Sequence, residues 1–347
     1  MLMKTNNRIR LFAVFFMMFT VILVVVVLVI LPRDKKKDSI PPTPFVPGQI
    51  NRFGKEAEVD TFSSIDPFVV VSSSANVTES GDVISINREN GTLVKISKNN
   101  TKVLYPSPVF SFSFADPFVS LVEFENRNKI VVINIASNDS FTLETKETNN
   151  TISVSINADA QKIFFLSGFN ARTGVSTLYT SSLNGFSPVA LIDTAATKVE
   201  ALSSSSVLLI EEGEASGLGK VHIYDTKNKR LSSAFSADKY SVSPGGLQLL
   251  LQTNGGFQLL NVASLSLSQT ALPDGTRTVW ESEEVVVNIK NTSRDSIEIT
   301  KVKLLTGEIL SRKIAQTRQI VNVIGITENE LIASNIDGEI IKISLTP

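Results

Sequence analysis

Apolar and polar residues alternate in short runs along most of the chain, and this pattern indicates β-strands. The alternation is plain in Ile152-Ser153-Val154-Ser155-Ile156, in Val83-Ile84-Ser85-Ile86 and in Ile297-Glu298-Ile299-Thr300. A period of two is typical of a strand with one buried face. No stretch after residue 57 keeps the helical period of about 3.6 over three turns. We therefore predict an all-β domain over residues 57–347.

Pairs of apolar strands recur along this domain at a regular spacing. The first strand of each pair is predicted to begin near Phe68, Phe118, Lys162, Val207, Leu247, Glu284 and Glu330. The partner strands are predicted to begin near Asp82, Lys129, Val175, Lys220, Phe257, Ile297 and Glu339. The starts are about 37–50 residues apart, which leaves room for one strand before each pair and one after it. Four-stranded units at this spacing are typical of β-propeller blades. We predict about seven blades, with six or eight as alternatives.

Turn residues and the ends of the domain agree with this arrangement. Asn90-Gly91, Asn254-Gly255, Asp274-Gly275 and Asp337-Gly338 fall between predicted strands, where hairpins favour positive φ. Asp66-Pro67-Phe68 matches Asp116-Pro117-Phe118, and we interpret both as the same point of two successive units. The first unit is ambiguous, because residues 57–107 offer five candidate strands. The last unit ends near Leu345, one strand short, and we expect a segment between Phe45 and Ser64 to complete it and close the ring.

One segment carries a resemblance to a known superfamily. Ser155-Ile156-Asn157-Ala158-Asp159-Ala160-Gln161-Lys162-Ile163-Phe164-Phe165-Leu166-Ser167 resembles the blade motif of TolB-type and WD-repeat-like propellers, in which a Ser-Pro-Asp-Gly turn precedes an apolar strand. Ser243-Pro244-Gly245-Gly246-Leu247 is similar to that turn, and Val221-His222-Ile223-Tyr224-Asp225 to the following strand. Ala160 and Gly245 depart from the motif, and no blade ends in Trp-Asp. The resemblance implies a propeller scaffold over most of residues 57–347, with no chemistry attached to it.

The N-terminal region has a different pattern. Leu11–Leu31 is a run of 21 residues in which only Thr20 is polar, and a helix of that length crosses a hydrocarbon core of about 30 Å. The alternative is a cleaved signal peptide, whose apolar region spans about 7–15 residues and ends in small residues. Here the run is longer and is followed by Pro32 and Arg33. We predict an uncleaved transmembrane anchor over residues 11–31, preceded by a basic tail over residues 1–10.

The flanks of the predicted anchor bear on its orientation. Basic residues lie on both sides of it, at Lys4, Arg8 and Arg10 before and at Arg33 and Lys35 to Lys37 after. The positive-inside count is therefore nearly even, but a short basic tail before a single span favours a signal anchor. We expect the domain to lie outside the cytoplasm, held at the cell membrane, with the reverse orientation as the alternative. Residues 32–56 are predicted to form a charged and proline-rich linker, whose four prolines from Pro41 to Pro47 favour an extended stalk.

Composition excludes several kinds of site. The chain has no cysteine and one histidine, His222, so disulfides, thiolate metal sites and multi-histidine metal sites are excluded. Lys and Arg total 33 against 34 for Asp and Glu. After the seven basic and two acidic residues of positions 1–38 are subtracted, 26 basic and 32 acidic residues remain. A domain with a net charge of about −6 argues against a nucleic-acid partner.

No residue pattern predicts a catalytic, cofactor-binding or metal site. We expect His222 to be a strand residue with a local hydrogen-bond partner. The acidic clusters Glu211-Glu212-Gly213-Glu214 and Glu281, Glu283 and Glu284 adjoin predicted turns, and we interpret them as solvated loop charge. Asn335-Ile336-Asp337-Gly338 is interpreted as a hairpin turn, because Ala333 and Ser344 occupy positions where a calcium loop needs ligands. Trp280 and the phenylalanines are predicted to pack in the core.

These observations favour a non-catalytic role. Our hypothesis is a membrane-anchored, extracytoplasmic propeller that acts as a protein-interaction or scaffold module and binds a protein partner through one face. The alternative is a propeller enzyme or a carbohydrate-binding propeller, with carboxylates converging at the central channel. Three or more acids, or one acid with an arginine or tyrosine, at one mouth of the channel would favour that alternative. We expect no cofactor.

Overall fold

The structure, a computed structural model, describes residues 59–61, 75–87, 89–98, 100–145, 150–159, 161–184, 187–212, 219–253, 256–272 and 277–346. In these residues the chain forms 29 β-strands, which assemble into seven antiparallel sheets. The predicted anchor at Leu11–Leu31 and the predicted linker over 32–56 lie outside the described residues. Among the residues described, no helix is long and apolar enough to span a membrane.

Each sheet is one blade, and the first three blades follow the chain from residue 76. Blade 1 contains β2 (Asn76–Val77), β3 (Val83–Ile86), β4 (Leu93–Ser97) and β5 (Asn100–Tyr105). Blade 2 contains β6 (Val109–Ala115), β7 (Phe118–Glu123), β8 (Lys129–Asn134) and β9 (Ser140–Glu144). Blade 3 contains β10 (Thr151–Asn157), β11 (Lys162–Ser167), β12 (Ser176–Ser182) and β13 (Val189–Thr194).

Blades 4 to 7 complete the ring. Blade 4 contains β14 (Lys198–Ala201), β15 (Ser206–Glu211), β16 (Gly219–Asp225), β17 (Arg230–Leu231) and β18 (Phe235–Ala237). Blade 5 contains β19 (Lys239–Val242), β20 (Gln248–Thr253), β21 (Gly256–Asn261) and β22 (Leu267–Gln269). Blade 6 contains β23 (Arg277–Trp280), β24 (Val285–Asn291), β25 (Ile297–Lys303) and β26 (Ile309–Ala315). Blade 7 contains β27 (Ile320–Ile326), β28 (Glu330–Asn335), β29 (Ile340–Ser344) and β1 (Val59–Thr61).

The antiparallel order of the strands sorts the loops onto two faces of the ring. The first strand of every blade is innermost and lines the channel, and the following strands lie progressively further out. We define the upper face as the one on which the innermost strands begin. It carries the loops that join successive blades and the loops between second and third strands. The lower face carries the remaining turns.

The ring is closed by a strand from its N-terminal end. β1 pairs antiparallel with β29, with Val59 opposite Ile343 and Thr61 opposite Ile341. It is therefore the outermost strand of blade 7, whose other three strands come from the C-terminal end of the chain. The prediction that a segment between Phe45 and Ser64 completes the last unit is confirmed. Closure also pairs an edge of β29 that would otherwise be open to other strands.

In the part of the chain that the structure describes, the hydrophobic core forms seven clusters, one between each pair of neighbouring blades. Successive residues of a second strand point to opposite faces of the sheet. In β11, Phe165 packs into the cluster shared with blade 2, and Phe164 packs into the cluster shared with blade 4. Because both faces of a blade are covered, its middle strands are continuous apolar runs.

The prediction of half-buried strands is wrong for β10, and its serines explain why. Ser153 and Ser155 are each only 3% exposed. The hydroxyl of Ser153 accepts a hydrogen bond from the backbone N–H of Val199 at 3.1 Å, and that of Ser155 accepts one from Ala201 at 2.8 Å. These N–H groups lie on the free edge of β14, where no further strand can pair with them. The polar positions of β10 therefore face the next blade instead of water.

The first unit is shifted from its predicted position. The hairpin pairs with predicted starts near Phe118, Lys162, Val207, Leu247, Glu284 and Glu330 all form second and third strands, within a few residues of those starts. In blade 1 the second strand is β3, which begins at Val83, and the third begins at Leu93. The predicted start near Phe68 lies outside the described residues and precedes the innermost strand. Asp66-Pro67-Phe68 is thus out of phase with Asp116-Pro117-Phe118, which spans the turn between β6 and β7 and the start of β7.

The turn Ser243–Leu247 explains one departure from the blade motif. The backbone N–H of Gly245 donates a hydrogen bond to Oε1 of Glu283 at 2.5 Å, and a Cβ on Gly245 would lie 2.9 Å from that oxygen. A carboxylate from blade 6 therefore occupies the space beside the position where the motif has aspartate. Gly246 has φ +68°, and a Cβ there would lie 1.9 Å from the carbonyl oxygen of Leu202 in blade 4. Glycine is required at this turn by the neighbouring blades.

Candidate interaction surface

The upper face of blade 2 carries a cluster of two phenylalanines and an arginine, which we call the aromatic–arginine cluster: Phe110, Phe124 and Arg127. The Cζ atom of Arg127 lies 3.7 Å from the ring centroid of Phe110 and 5.6 Å from that of Phe124. The two rings are 6.3 Å apart and inclined at 50°. Phe124 is 56% exposed. A guanidinium over an aromatic ring keeps the N–H groups in its own plane available for a carboxylate.

Backbone hydrogen bonds hold this cluster in place. Phe124 donates from its N–H to the carbonyl of Pro108 at 2.9 Å, in the loop that joins blades 1 and 2. The carbonyl of Arg127 accepts from the N–H of Thr151 at 2.8 Å, at the start of blade 3. The loop from 124 to 128 is therefore fixed to both neighbouring blades, and the cluster is preorganised for binding.

A half-buried polar pair lies directly beside the cluster. The hydroxyl of Tyr105 donates to the carboxylate of Glu123, which immediately precedes Phe124. Burial, followed by the hydrogen bond to Glu123 and the negative charge of that residue, raises the pKa of Tyr105 to about 12. The phenol therefore keeps its proton at neutral pH, and the pair joins blade 1 to blade 2.

A second feature of the upper face is a groove at blades 6 and 7, which we call the arginine groove. Its volume is about 420 Å³, and its lining residues are Arg294, Arg318, Gln319, Ile336 and Asp337. Nη1 of Arg318 lies 2.7 Å from each carboxylate oxygen of Asp337. The groove thus combines two guanidinium groups, one of them paired, with one apolar side chain.

The channel wall holds one acid and one tyrosine. Glu200 on β14 accepts a hydrogen bond from the hydroxyl of Tyr240 on β19 at 3.1 Å. The ammonium group of Lys198 lies 5.5 Å from the centroid of the Tyr240 ring. Protein atoms surround the carboxylate even though the channel leaves it partly accessible. Burial raises the pKa of Glu200, while the charge of Lys198 and the hydrogen bond from Tyr240 oppose that shift. Burial, followed by the charge of Glu200, raises the pKa of Tyr240.

An acid beside a tyrosine in the channel is one of the arrangements named above as favouring an enzyme or a carbohydrate-binding propeller. The pair nevertheless meets only part of what a hydrolytic channel needs. In the innermost strands of the seven blades as the structure describes them, Glu200 is the one acidic residue. Glycoside hydrolysis uses two carboxyl groups about 5–10 Å apart. The Glu200–Tyr240 pair also joins neighbouring blades, as do the bond from Nε1 of Trp280 to Ser241 at 3.0 Å and that from Nε of Arg277 to the Val321 carbonyl at 3.0 Å. It is best explained as one of these cross-blade links.

Most of the residues considered as candidate sites in the sequence analysis make local contacts that stabilise the fold. Nδ1 of His222 lies 3.3 Å from the carbonyl oxygen of Ser232, beside the break between β17 and β18. Its Nε2 lies 3.3 Å from Glu211, without a well-aligned hydrogen bond. The expectation of a local partner is confirmed. The side-chain oxygen of Asn335 accepts from the N–H groups of Asp337 and Glu339, each at 3.0 Å, which confirms the hairpin turn.

The predictions for the acidic turn and for the aromatic residues are only partly right. Glu281 forms an ion pair with Lys301, and Glu283 binds the backbone of Gly245, so these two carboxylates are not simply solvated. They face neighbouring strands and a neighbouring blade. Trp280 is buried between blades 5 and 6, as predicted. Phe124 is an exception to the prediction of core phenylalanines, because it lies in a loop outside the blade interfaces.

Comparison with known proteins finds similarity in structure alone. No model of a known protein family matches the sequence, and no curated protein matches it. One chain of a crystal structure of the mitotic checkpoint complex aligns with a TM-score of 0.57 at 10% identity, over 86% of this chain and 94% of that one. The RRP9 WD40 repeats align with a TM-score of 0.54 at 11% identity, over 84% and 100%. The Myceliophteria thermophila Cps50 (Swd1) β-propeller domain aligns with a TM-score of 0.53 at 11% identity, over 83% and 100%.

The chain has the fold of a seven-bladed β-propeller. Identities of 10–11% carry the fold and nothing about partners. The Trp-Asp ending that names WD repeats is missing from the sequence. In this propeller the upper-face features come from loops of different lengths, which the blade repeat does not specify. The sequence does contain one signal for the position of these features. Once the strands are assigned, residues 124–128, 292–296 and 336–339 all fall between second and third strands, and such loops share one face of the ring.

Proposed function

We propose that this protein is a membrane-anchored, extracytoplasmic β-propeller that binds a protein partner through its upper face and performs no catalysis. The observation that carries the proposal is the aromatic–arginine cluster. Phe124 and the stacked Arg127 are not needed to cover a blade interface, yet backbone hydrogen bonds fix both in position. Aromatic residues and arginine are the side chains that most often dominate the energy of protein interfaces.

The membrane part of the proposal rests on the sequence. Leu11–Leu31 is long and apolar enough for an uncleaved span, and the basic tail before it favours translocation of the following domain. An anchored propeller would meet partners confined to the same membrane or to the adjacent compartment. The alternative of an enzyme or a carbohydrate-binding propeller has the Glu200–Tyr240 pair in its favour. We do not propose it, since Glu200 lacks a second carboxylate in the described channel wall.

The test is proximity labelling in the native membrane, with the full chain carrying a labelling enzyme at its C-terminus. We expect Phe124→Ala and Arg127→Ala each to reduce labelling of specific neighbours by about tenfold, because truncation of an interface hot spot costs about 2 kcal/mol or more. The matched control is Leu305→Ala, since Leu305 is 66% exposed but lies on the lower face. The same neighbours labelled in all three variants would contradict the assignment of the upper face, and no specific neighbours with the unaltered protein would contradict the binding role.

A further inference from the structure

The arginine groove lies between elements that are rigidly joined. The side chain of Asn291 in blade 6 donates to the carbonyl of Ile320 at 3.2 Å and accepts from the N–H of Ile320 at 3.0 Å. The N–H of Ile336 donates to the carbonyl of Gln319 at 2.9 Å. These bonds fix the loop between blades 6 and 7 against a loop of each blade. The groove is therefore formed before any ligand arrives, which lowers the entropic cost of binding.

The charge of the groove contrasts with that of the domain. Residues 39–347 carry 32 acidic and 26 basic side chains. The groove instead presents two arginines and one aspartate. Asp337 uses both oxygens on one nitrogen of Arg318, so the remaining N–H groups of that guanidinium can still donate. The arginines in ion pairs among the described residues are Arg312 and Arg318, which leaves the charge of Arg294 uncompensated by a salt bridge.

One wall of the groove is apolar and faces solvent. Ile336 is 61% exposed at the tip of the hairpin between β28 and β29. Isoleucine is an unusual choice for a tight turn, where small polar residues are favoured. Its side chain contributes nothing to the cluster between blades 6 and 7, which is built from other residues. An apolar group beside two guanidinium groups suits a ligand that carries both a negative charge and an apolar side chain.

We propose that the arginine groove binds an acidic peptide segment, with a carboxylate against Arg294 and Arg318 and a neighbouring apolar side chain over Ile336. This inference rests on the proposed protein-binding role. Guanidinium groups bind carboxylates through paired, charge-assisted hydrogen bonds. A nucleic acid carries the same sign of charge over its whole length, and the acidic domain around the groove would repel it. A peptide needs only one or two negative groups at the groove itself.

The probe is a random peptide library displayed on phage, selected on the full chain solubilised in detergent. Phage that bind the Arg294→Glu, Arg318→Glu double variant are removed first, so that the peptides recovered depend on the groove. We expect the recovered peptides to share an acidic residue next to an aliphatic one. Their binding is then measured as free peptides by fluorescence anisotropy. Recovery of no groove-dependent peptide, or of peptides without a shared acidic residue, would overturn the proposal.

Single variants separate a specific site from general attraction of opposite charges. We expect Arg294→Glu to weaken binding of a recovered peptide by about tenfold or more, which is the scale of a lost charge-assisted contact. The matched control is Arg172→Glu, an exposed arginine in the corresponding loop of blade 3. An equal loss in the control would overturn the proposal. Labelling of cellular neighbours that survives Arg294→Glu but not Arg127→Ala would refute the groove and leave the proposed function standing.

Discussion

At the scale of single residues, contacts between blades determine what the sequence can tolerate. The blade motif predicts a turn at Ser243–Leu247, but it does not predict that Glu283 of the next blade binds the backbone of Gly245. Likewise, alternation in β10 predicts polar residues on one face, and the buried Ser153 and Ser155 accept hydrogen bonds from β14. The partner lies 38 residues away along the chain for Gly245 and 46 residues away for each serine, so no local pattern contains either feature.

Gly246 gives a prediction at this scale. Gly246→Ala should destabilise the protein by at least about 3 kcal/mol, because overpacking against a backbone oxygen adds to the strain of a left-handed residue. The new Cβ would lie 1.9 Å from the carbonyl oxygen of Leu202. The measurement is the free energy of unfolding from denaturant titration.

Gly174 provides the control for this substitution. It has φ +67°, nearly that of Gly246, but a Cβ there meets no atom within 4 Å. Gly174→Ala should therefore cost only the backbone strain of about 1–2 kcal/mol. Equal losses of stability for the two variants would show that the clash with blade 4 is relieved by movement, and the explanation given for this glycine would be wrong.

At the scale of strands and blades, most of the architecture could be predicted. Six hairpins were predicted near their true positions because their strands are long, apolar on both faces and separated by turn residues. The first blade was not, since β2 has two residues and β3 has four, and such short strands carry little periodic signal. The match of Asp66-Pro67-Phe68 to Asp116-Pro117-Phe118 is no guide to the phase of the first blade, because its second strand begins at Val83.

The closing strand gives a prediction at the scale of elements. A chain that begins at Ser63 lacks β1, whereas one that begins at Ala57 retains it. We expect the shorter chain to unfold at a lower temperature, because it loses the backbone hydrogen bonds between β1 and β29. Each such bond contributes about 0.5–1.5 kcal/mol, and 1 kcal/mol shifts Tm by about 2 °C in a large domain. The shorter chain should also self-associate, since the edge of β29 is left unpaired.

The measurements for this pair are thermal unfolding and size-exclusion chromatography. The chain that begins at Ala57 serves as the control, because it removes the predicted anchor and linker but no strand. If both chains were monomeric with the same Tm, the pairing of Val59–Thr61 with β29 would not contribute to closure, and the ring would have to be held by the inter-blade clusters alone.

At the scale of the whole molecule, the sequence pattern predicts the fold but not the candidate binding surfaces. The spacing of strand pairs predicts a propeller because every blade is covered on both faces by its neighbours. Each blade therefore repeats the same pair of apolar middle strands at a similar interval. The candidate binding surfaces have no such rule: Arg294, Arg318 and Ile336 lie in three separate loops, which the packing of blade 6 against blade 7 brings together. Phe110 and Arg127 meet across a strand and a loop in the same way. Sequence spacing could therefore predict which face these loops share, but not which side chains on it meet.

The membrane anchor gives the last prediction, at the scale of the cell. We expect the full chain to stay in the membrane fraction after washing with high salt and with carbonate, because a 21-residue apolar helix at Leu11–Leu31 would be integral. Val25→Lys with Val26→Lys should abolish this retention, since each central lysine costs about 2.5–3.5 kcal/mol on insertion. Arg8→Lys, which keeps the charge of the tail, is the control. A mature form that begins after Leu31 would contradict the uncleaved anchor.

The orientation of the anchor is tested separately. Protease added to intact spheroplasts should digest the propeller, and complete protection of the propeller until lysis would show that the proposed orientation is reversed.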